Sequence, residues 1–363
     1  MWINFEHSMP PLNRLRTALA RTPPRVHVFS PDSGDINRMT ALAQDCATVA
    51  GRPWQVSVGK ELPDRVDVLV ISAHGSDLLA PIWNLRRQLP DAVCLVWLFD
   101  NHLSQIGNLR TVMAADGYFP SHAFCADYLF NPYSPNLGHL PAACLQWSRA
   151  ELVEGLAVPR LRADRFLAAF VDYPFAARHE FLGRLGAVPE ADLLLMPPGD
   201  RSRYRDKSTA ERLAEWCSYK SSVVLPVERD LSTRLFDALA SGQIPLVSDA
   251  VLDLDRVIPP AIQAQLPILR FRDGDIPALL AAHAEALRRF DAEGEAGLWR
   301  RVGFVLDGHL LQHRLASILA LLVALDEGRA IIAYHQARGG LLLTGSSGFE
   351  AGPGESGELI SER

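Results

Sequence analysis

The chain contains 363 residues, of which 48% are hydrophobic and 21% are charged. This length and balance are typical of a globular protein with more than one sizeable core, so two domains are expected. The net charge of −6, without a long block of like charges, argues against nucleic-acid binding.

The five cysteines are odd in number and show no CxxC spacing, which argues against a disulfide framework or a structural zinc site. The N-terminal residues lack a basic start followed by an apolar run, so no secretory signal is predicted. The longest apolar stretch, residues 315–325, is too short to span a bilayer. These features predict a cytoplasmic protein.

Short β-rich runs alternate with helix-length amphipathic segments in the first half of the chain. The predicted strands are residues 26–30, 55–58, 66–72, 93–98 and 117–119, with predicted helices at 36–49 and 77–88. Two of these strands are continuous apolar runs, as expected for parallel strands that are covered on both faces. The alternation predicts a doubly wound α/β domain.

A charged segment with a proline, residues 157–164, is predicted to be a linker, after which the alternation restarts. Further strands are predicted at 166–171, 192–196, 222–225, 244–247 and 268–271, followed by helices at 276–289 and 309–325. We therefore predict two tandem Rossmann-like α/β domains, 1–160 and 161–338, with the last helix packing back onto the first domain. The glycine- and serine-rich residues 339–363 are predicted to be a disordered tail.

Polar side chains follow several predicted strands of the first domain. His74, His102 and His122 come after three of them, and Asp100 precedes His102 by two residues. Ligands bind at the carboxyl ends of parallel strands, and histidine suits a general base because its ordinary pKa is near working pH. Alternatively, these side chains cap helices or satisfy loop carbonyls. No HxH or HExxH spacing occurs, so no metal site is predicted.

The segment from residue 220 to 249 is the most informative part of the second domain. A core strand ends near Pro226, a charged loop follows, Ser232 or Thr233 is placed to cap a helix, and Gly242 is placed to end it. The N-terminus of this helix lies beside Arg229 and Arg234, and such a terminus favours phosphate because its N–H groups are unpaired.

Other charged side chains surround this predicted helix in the sequence. The cations are Arg178, Arg205, Lys207 and Lys220, and the acceptors suited to ribose or sugar hydroxyls are Glu228, Asp230 and Asp237. Each has a plainer interpretation as well. The loop that holds Arg205 and Lys207 is equally typical of a solvated surface. Lys220 is equally suited to cover a sheet edge, and Arg234 to form an ion pair with Asp230 or Asp237.

Residues 237–247, DALASGQIPLV, resemble the donor-binding element of GT-B glycosyltransferases, in which a helix ends in a pattern like EALAxGxxPV. Residues 170–178, FVDYPFAAR, are similar to that family's first strand and turn, which precede a basic residue that contacts the donor diphosphate. Arg229 stands eight residues before Asp237, where many retaining members carry a second acid. The resemblance covers about residues 166–300 by motif and the first domain by architecture.

The resemblance implies two Rossmann-like domains that face a cleft and transfer a sugar from a nucleotide-sugar donor to a glycan, lipid-linked or protein hydroxyl. It implies neither a metal nor another cofactor. The base is then expected among Asp100, His102, His74 and His122. The expected donor-binding residues are Arg178, Arg205, Lys207, Lys220, Glu228, Arg229, Asp230, Ser232, Thr233, Arg234 and Asp237.

Three alternatives stay open at this point. A related fold serves nucleotide-sugar epimerases, and a non-catalytic two-domain protein would bind a sugar or nucleotide without turnover. The apolar helix at 309–325 is suited to a membrane surface or a partner, although packing between the domains accounts for its composition equally well.

Overall fold

The computed structural model describes residues 2–4, 10–30, 42–74, 79–100, 105–171, 176–196, 206–335, 337–344 and 359–360. The chain divides into two compact units. The first consists of Met1–Pro141 together with Leu311–Arg363, and the second of Ala142–Leu310. The chain therefore passes between the units twice, near residues 141–142 and 310–311.

The first unit contains a parallel five-stranded sheet. Its strands are β2 (Arg25–Phe29), β5 (Gln55–Gly59), β6 (Val68–His74), β7 (Val93–Asp100) and β8 (Gly117–Phe119). They lie side by side in the order β5-β2-β6-β7-β8. All five strands that the sequence predicts here are confirmed, and the continuous apolar runs in β6 and β7 are buried as expected.

Six helices accompany this sheet in the described part of the chain. They are α1 (Pro10–Leu19), α2 (Leu42–Asp45), α3 (Leu79–Gln88), α4 (Gln105–Met113), a 3₁₀ helix (Ala123–Leu129) and, from the end of the chain, α12 (Leu311–Asp326). Helix α12 packs against α1 and α2, which confirms that the last helix returns to the first unit.

The predicted helix at 36–49 differs from the structure. Only Leu42–Asp45 is described as helix, and β3 (Thr48–Val49) pairs with β4 (Arg52–Pro53) where the helix was expected to continue. Ala50 and Gly51 both have positive φ, so the backbone turns back into a hairpin there. Residues 36–41 lie outside the described residues.

A second, mixed sheet continues from the β8 edge. It consists of β1 (Trp2–Asn4), β14 (Ile331–His335), β15 (Gly340–Thr344) and β16 (Leu359–Ile360), in the order β15-β14-β1-β16. Asn136 joins the two sheets because it pairs with Tyr118 of β8 on one side and with Leu342 of β15 on the other. The prediction that the chain is disordered from residue 339 is therefore wrong for residues 340–344, whose leucines are buried.

The second unit is built around another parallel five-stranded sheet. Its strands are β9 (Ala163–Val171), β10 (Ala191–Met196), β11 (Tyr219–Val224), β12 (Ile244–Ser248) and β13 (Leu269–Phe271). Their order is β10-β9-β11-β12-β13. The strand positions again follow the sequence prediction, and the α/β class with two Rossmann-like sheets is confirmed.

Seven helices of the second unit are described. They are α5 (Arg149–Leu156), α6 (Ala176–Leu185), α7 (Thr209–Trp216), α8 (Thr233–Ala240), α9 (Leu254–Val257), α10 (Pro260–Gln265) and α11 (Ile276–Gly308). Helix α11 extends far beyond the predicted end at residue 289. It kinks at Gly294, whose φ of 55° and ψ of −145° are not helical.

The limits of the two units differ from the predicted boundaries at 160 and 338. Residues 142–156 belong to the second core, where Trp147 meets Trp216 edge to face at 5.8 Å between ring centroids. Residues 311–338 belong to the first unit through α12 and the pairing of β14 with β1. Both limits are set by contacts between buried residues that are far apart in the chain. The polar segment at 157–164, which was predicted to be the linker, lies inside the second unit.

All five cysteines lie in described segments, and each is a buried free thiol. Among the helices that the structure describes, none is both long enough and apolar enough to cross a membrane. The described residues also contain no group of three or more His, Cys, Asp or Glu side chains arranged to hold a metal ion.

Candidate functional site

The candidate site lies at the carboxyl edge of the second sheet, where β9 and β11 end and helices α6 and α8 begin. The two strands are neighbours in the sheet, so the two helix starts follow adjacent strand ends. Each helix start places the positive end of the helix dipole at this edge. This edge of the sheet is therefore electrically suited to an anion.

Two arginines from these helix starts share one aromatic ring. The guanidinium carbons of Arg178 and Arg234 each lie 5.2 Å from the ring centroid of Phe170, the second-to-last residue of β9. Phe170 is fully buried. The two guanidinium carbons are thus at most twice that distance apart.

Backbone carbonyls fix both guanidinium groups. Nε of Arg234 donates to the carbonyl of Ala169 at 2.5 Å, and Nη1 of Arg178 donates to the carbonyl of Pro226 at 3.3 Å. These bonds join the arginines to the ends of β9 and β11 and so orient them before any ligand arrives. An anion that binds here meets positive charge that is already in place.

The loop from β11 to α8 forms a tight, strained turn beside the arginines. Glu228 and Arg229 are exposed and both have positive φ, 51° and 75°. The buried carboxylate of Asp230 accepts a hydrogen bond from the backbone N–H of Val227, which closes the turn. The carbonyl of Arg229 accepts from the N–H of Leu252, so the loop is also tied to the segment that follows β12.

Helix α8 begins as the sequence predicts. Ser232 is its N-cap and accepts from the N–H of Arg234 at 3.3 Å, and Thr233 is its first residue. The structure therefore brings seven predicted donor-binding residues to one edge of the sheet. They are Arg178, Glu228, Arg229, Asp230, Ser232, Thr233 and Arg234.

Asp237 has an internal position. It is only 2% exposed, and its Oδ2 accepts a hydrogen bond of 2.7 Å from Nε2 of Gln146. Burial, and next the charge of Asp237, raise the pKa of the neighbouring Cys144 thiol. The structure thus gives this carboxylate a partner inside the unit, although the resemblance implies that it contacts a donor.

The predicted lysines do not join the arginines. Lys220 is the second residue of β11, so it lies at the amino end of that strand, and its Nζ is 2.6 Å from Asp164 and 2.8 Å from Asp291. Lys207 pairs with Glu215 at 2.6 Å. Arg205 lies outside the described residues. The plainer interpretation of Lys220, a charge at a sheet edge, fits its position.

The predicted bases of the first unit lie at strand ends where the structure describes them. His74 and Asp100 are register partners at the carboxyl ends of β6 and β7. His122 follows β8, the next strand, and its buried ring lies 5.9 Å from that of Phe124. Nothing is described of the side chains of His74 and Asp100, and His102 lies outside the described residues.

The sequence did not predict two contacts of the second unit. Phe170 was not singled out, although an aromatic residue at a strand end between two arginine-bearing helix starts is a usable signal. The contact of Gln146 with Asp237 was also missed, and no local pattern could reveal it because the two residues are far apart in the chain.

Two cavities, of about 240 and 400 Å³, lie in the first unit. The smaller is lined by residues near the amino ends of β2 and β5, among them Arg25, His27 and Ser57. The larger is lined by residues of α1, the loop that follows it and β4. None of the predicted site residues lines either cavity.

No protein-family model matches the chain, and no curated protein matches it. Solved structures are similar at low identity. An α,α-trehalose-phosphate synthase (UDP-forming) from Burkholderia vietnamiensis is 11% identical with a TM-score of 0.49, covering 85% of this chain and 100% of that chain. A sucrose-phosphate synthase from Thermosynechococcus elongatus is 14% identical with a TM-score of 0.44, covering 85% of this chain and 97% of that chain.

An α1,3-fucosyltransferase solved with GDP-fucose is 12% identical with a TM-score of 0.42, covering 88% of this chain and 97% of that chain. At such scores the likeness carries no argument about activity. The α/β assignment rests on the two parallel sheets themselves.

Proposed function

We propose that the chain is a glycosyltransferase that moves a sugar from a nucleotide-sugar donor to a hydroxyl acceptor. The observation that carries this proposal is the pair of arginines, Arg178 and Arg234, held beside Phe170 at two adjacent helix starts. A diphosphate is the common leaving group that suits two such cations. The motif at residues 237–247 adds support from the sequence.

In the proposed reaction, the bond between the anomeric carbon and the donor phosphate oxygen breaks, and the nucleoside diphosphate leaves with the electron pair. A bond forms between that carbon and the acceptor oxygen, which loses its proton. Arg178, Arg234 and the starts of α6 and α8 stabilise the charge that develops on the leaving diphosphate. The proposal places the proton acceptor among His74, Asp100, His102 and His122.

Titration calorimetry with UDP, GDP, ADP and dTDP tests the donor site. We expect one of these to bind, and Arg234→Ala or Arg178→Ala to weaken that binding by about 10- to 100-fold, since a charged hydrogen bond contributes about 1.5–3 kcal/mol. Arg288→Ala is the matched control, because Arg288 is an exposed arginine of the same unit that pairs with Glu285. If no nucleoside diphosphate binds, the proposal fails.

Transfer is tested separately from binding. The nucleotide-sugar of the base that binds is incubated with oligosaccharide, lipid-linked and peptide acceptors, and the free nucleotide and the glycosylated acceptor are measured. Equal amounts of both are expected for a transferase. A protein that binds the donor but releases no nucleotide with any acceptor would instead be a binding protein.

A further inference from the structure

The contact between Asp237 and Gln146 joins the anion site to a distant part of the chain. Asp237 lies three residues after Arg234 on α8, so the two side chains belong to neighbouring positions on the helix surface. Arg234 is at the start of the helix, beside Phe170, whereas Asp237 is buried and bonded to Gln146. One short helix therefore carries both contacts.

Gln146 belongs to the segment through which the chain first enters the second unit. The N–H of Cys144 donates to the carbonyl of His309 at 2.8 Å, and Cys144 pairs with Leu310 as an isolated parallel bridge. Leu310 is the last residue before the chain returns to the first unit. The two segments that connect the units are thus bonded to each other, next to Gln146.

Helix α8 also contacts the second connecting segment directly. The ring of Phe236 stacks on that of His309, with centroids 4.9 Å apart and planes 16° apart. The ring of His309 also stacks on that of Phe304 in α11, with centroids 4.3 Å apart. Residues 236 and 237 therefore reach both connecting segments from adjacent positions of the same helix.

All other side chains of the second half of α8 are buried, from Ala238 to Ala240. A helix that is enclosed in this way moves as a body, because its close-packed surroundings leave no room for one residue to shift alone. Gln146 and His309 contact this helix directly, so any shift of α8 would change both contacts.

We propose that Asp237 is a positioning residue, which through Gln146 couples occupancy of the anion site to the two segments that connect the units. This inference rests on the proposed function, since it takes the Arg178–Arg234 pair as the place where the diphosphate binds. If the two are coupled, a substitution that breaks the contact between Gln146 and Asp237 also changes the affinity for the diphosphate.

Exchanging the partners tests the contact. Gln146→Glu places two carboxylates opposite each other, and we expect it to weaken binding of inorganic pyrophosphate and of the tightest nucleoside diphosphate at least tenfold. Adding Asp237→Asn restores a donor and an acceptor, with their roles reversed, and is expected to return the affinity to within threefold of the starting value. Gln265→Glu, the same change at an exposed glutamine of α10 in the same unit, is the matched control.

Amide hydrogen exchange of the full chain supplies a readout that a purely structural role would not move. Pyrophosphate is expected to slow exchange at residues 142–148 and 308–311 in the starting protein and in the exchanged pair, but not in Gln146→Glu. Should Gln146→Glu fail to fold, Gln146→Ala removes the donor without adding charge and is expected to abolish the same protection.

The outcomes separate the two proposals. If neither pyrophosphate nor any nucleoside diphosphate binds the starting protein, the donor site itself is wrong. If they bind, but Gln146→Ala retains both the affinity and the protection of residues 142–148, or the exchanged pair does not recover them, the coupling role of Asp237 is overturned while the donor site stands.

Discussion

At the residue scale, the strongest feature is the concentration of positive charge around one phenylalanine. Two guanidinium groups beside the same ring repel each other, yet Arg178 and Arg234 are both held there by backbone carbonyls. Their attraction to the ring face offsets part of that repulsion. A pair of cations held in this way is what the proposed diphosphate site requires.

The neighbouring turn stores backbone strain. Glu228 and Arg229 are consecutive residues in the left-handed region, which costs a residue with a Cβ about 1–2 kcal/mol. Arg229→Gly removes this cost at one position, and we expect it to raise the free energy of unfolding by about 1 kcal/mol. Urea unfolding monitored by tryptophan fluorescence measures the change.

A matched control separates this strain from the general effect of glycine. Ala281 is an exposed residue of α11, and Ala281→Gly is expected to lower the free energy of unfolding by about 1 kcal/mol. A rise in the free energy of unfolding for Arg229→Gly together with a fall for Ala281→Gly would support backbone strain at Arg229. A loss of stability in Arg229→Gly would contradict it.

Two buried histidines make stability depend on pH. His283 receives a hydrogen bond at Nδ1 from Ser221 and donates from Nε2 to the carbonyl of Asp164, at 3.0 and 2.8 Å. Burial lowers its pKa from the ordinary 6.5, and hydrogen bonding to Asp164 and the charges of Glu190 and Asp164 partly offset that. Burial also lowers the pKa of His27, which contacts Ser57 at 2.9 Å.

Because both histidines stay neutral in the fold, the unfolded chain binds more protons just below pH 6.5. The free energy of unfolding is therefore expected to fall as pH decreases from 7 through 6.5, by at most about 1.4 kcal/mol per pH unit for each histidine, until the lowered pKa is reached. Chemical unfolding at several pH values measures the slope. His283→Gln should reduce it, and the exposed His179→Gln is the control.

At the element scale, α8 is defined at both ends by local chemistry. Ser232 caps its start. Its end is a Schellman motif, in which the N–H of Gln243 donates to the carbonyl of Ala238 and that of Gly242 to the carbonyl of Leu239. Gly242 has a φ of 76°, and its carbonyl accepts from the buried Arg301. The cap at Ser232 fixes the start of the helix, where Arg234 lies beside Phe170.

Gly242→Ala tests the end of this helix. A Cβ at residue 242 would lie 2.6 Å from Cγ of Leu298, and the positive φ disfavours any side chain. We expect a loss of about 2–4 kcal/mol in the free energy of unfolding. Gly183→Ala in α6 is the matched control, because nothing lies within 4 Å of the added Cβ. Gly183→Ala should raise the free energy of unfolding by up to about 1 kcal/mol. A similar loss of stability in both variants would refute the explanation.

At the scale of the whole molecule, the first unit depends on both ends of the chain. Its sheet edge at β8 is continued by Asn136 and then by β15 and β14. Three backbone hydrogen bonds join β15 to the segment at residues 131–136. An exposed strand edge invites pairing with other chains, and the C-terminal hairpin covers this one.

Two truncations distinguish a structural hairpin from a dispensable tail. Ending the chain after Arg338 removes the buried Leu341, Leu342 and Leu343, and we expect it to destabilise the first unit by at least about 3 kcal/mol, since each leucine contributes about 1.5–3 kcal/mol. Ending it after Thr344 keeps β15 and removes only the two-residue strand β16 from the sheet, so we expect a smaller loss than for the first truncation. Thermal unfolding and amide exchange in β2 and β6 report the effect.

Comparable behaviour of the two truncated chains would show that β15 contributes nothing. The shorter chain could instead aggregate while its midpoint of thermal unfolding stays unchanged. That result would show that the hairpin only protects the edge of the sheet from pairing with other chains.

Much of the site could be predicted because its signals are local. A serine before a helix, a glycine after it and arginines near its start are read from neighbouring residues, and α8, Ser232 and Arg234 lie where they were expected. Lys220 was included among the donor-binding residues, although strand direction alone places residue 220 at the amino end of β11. The buried position of Asp237 could not be predicted, because it depends on which residues pack against α8, and no local pattern contains that information.

The sequence by itself determined the ten parallel strands of the two sheets and the α/β class, because short β-rich runs alternate with helix-length amphipathic segments along the chain. Tertiary structure alone decided three things: that residues 142–156 join the second core, that the leucines of a glycine-rich tail form β15, and that Phe170 brings two arginines together. Each depends on contacts between residues far apart in the chain. Such contacts are chosen by the burial of apolar surface in the folded molecule, and no stretch of sequence contains that information alone.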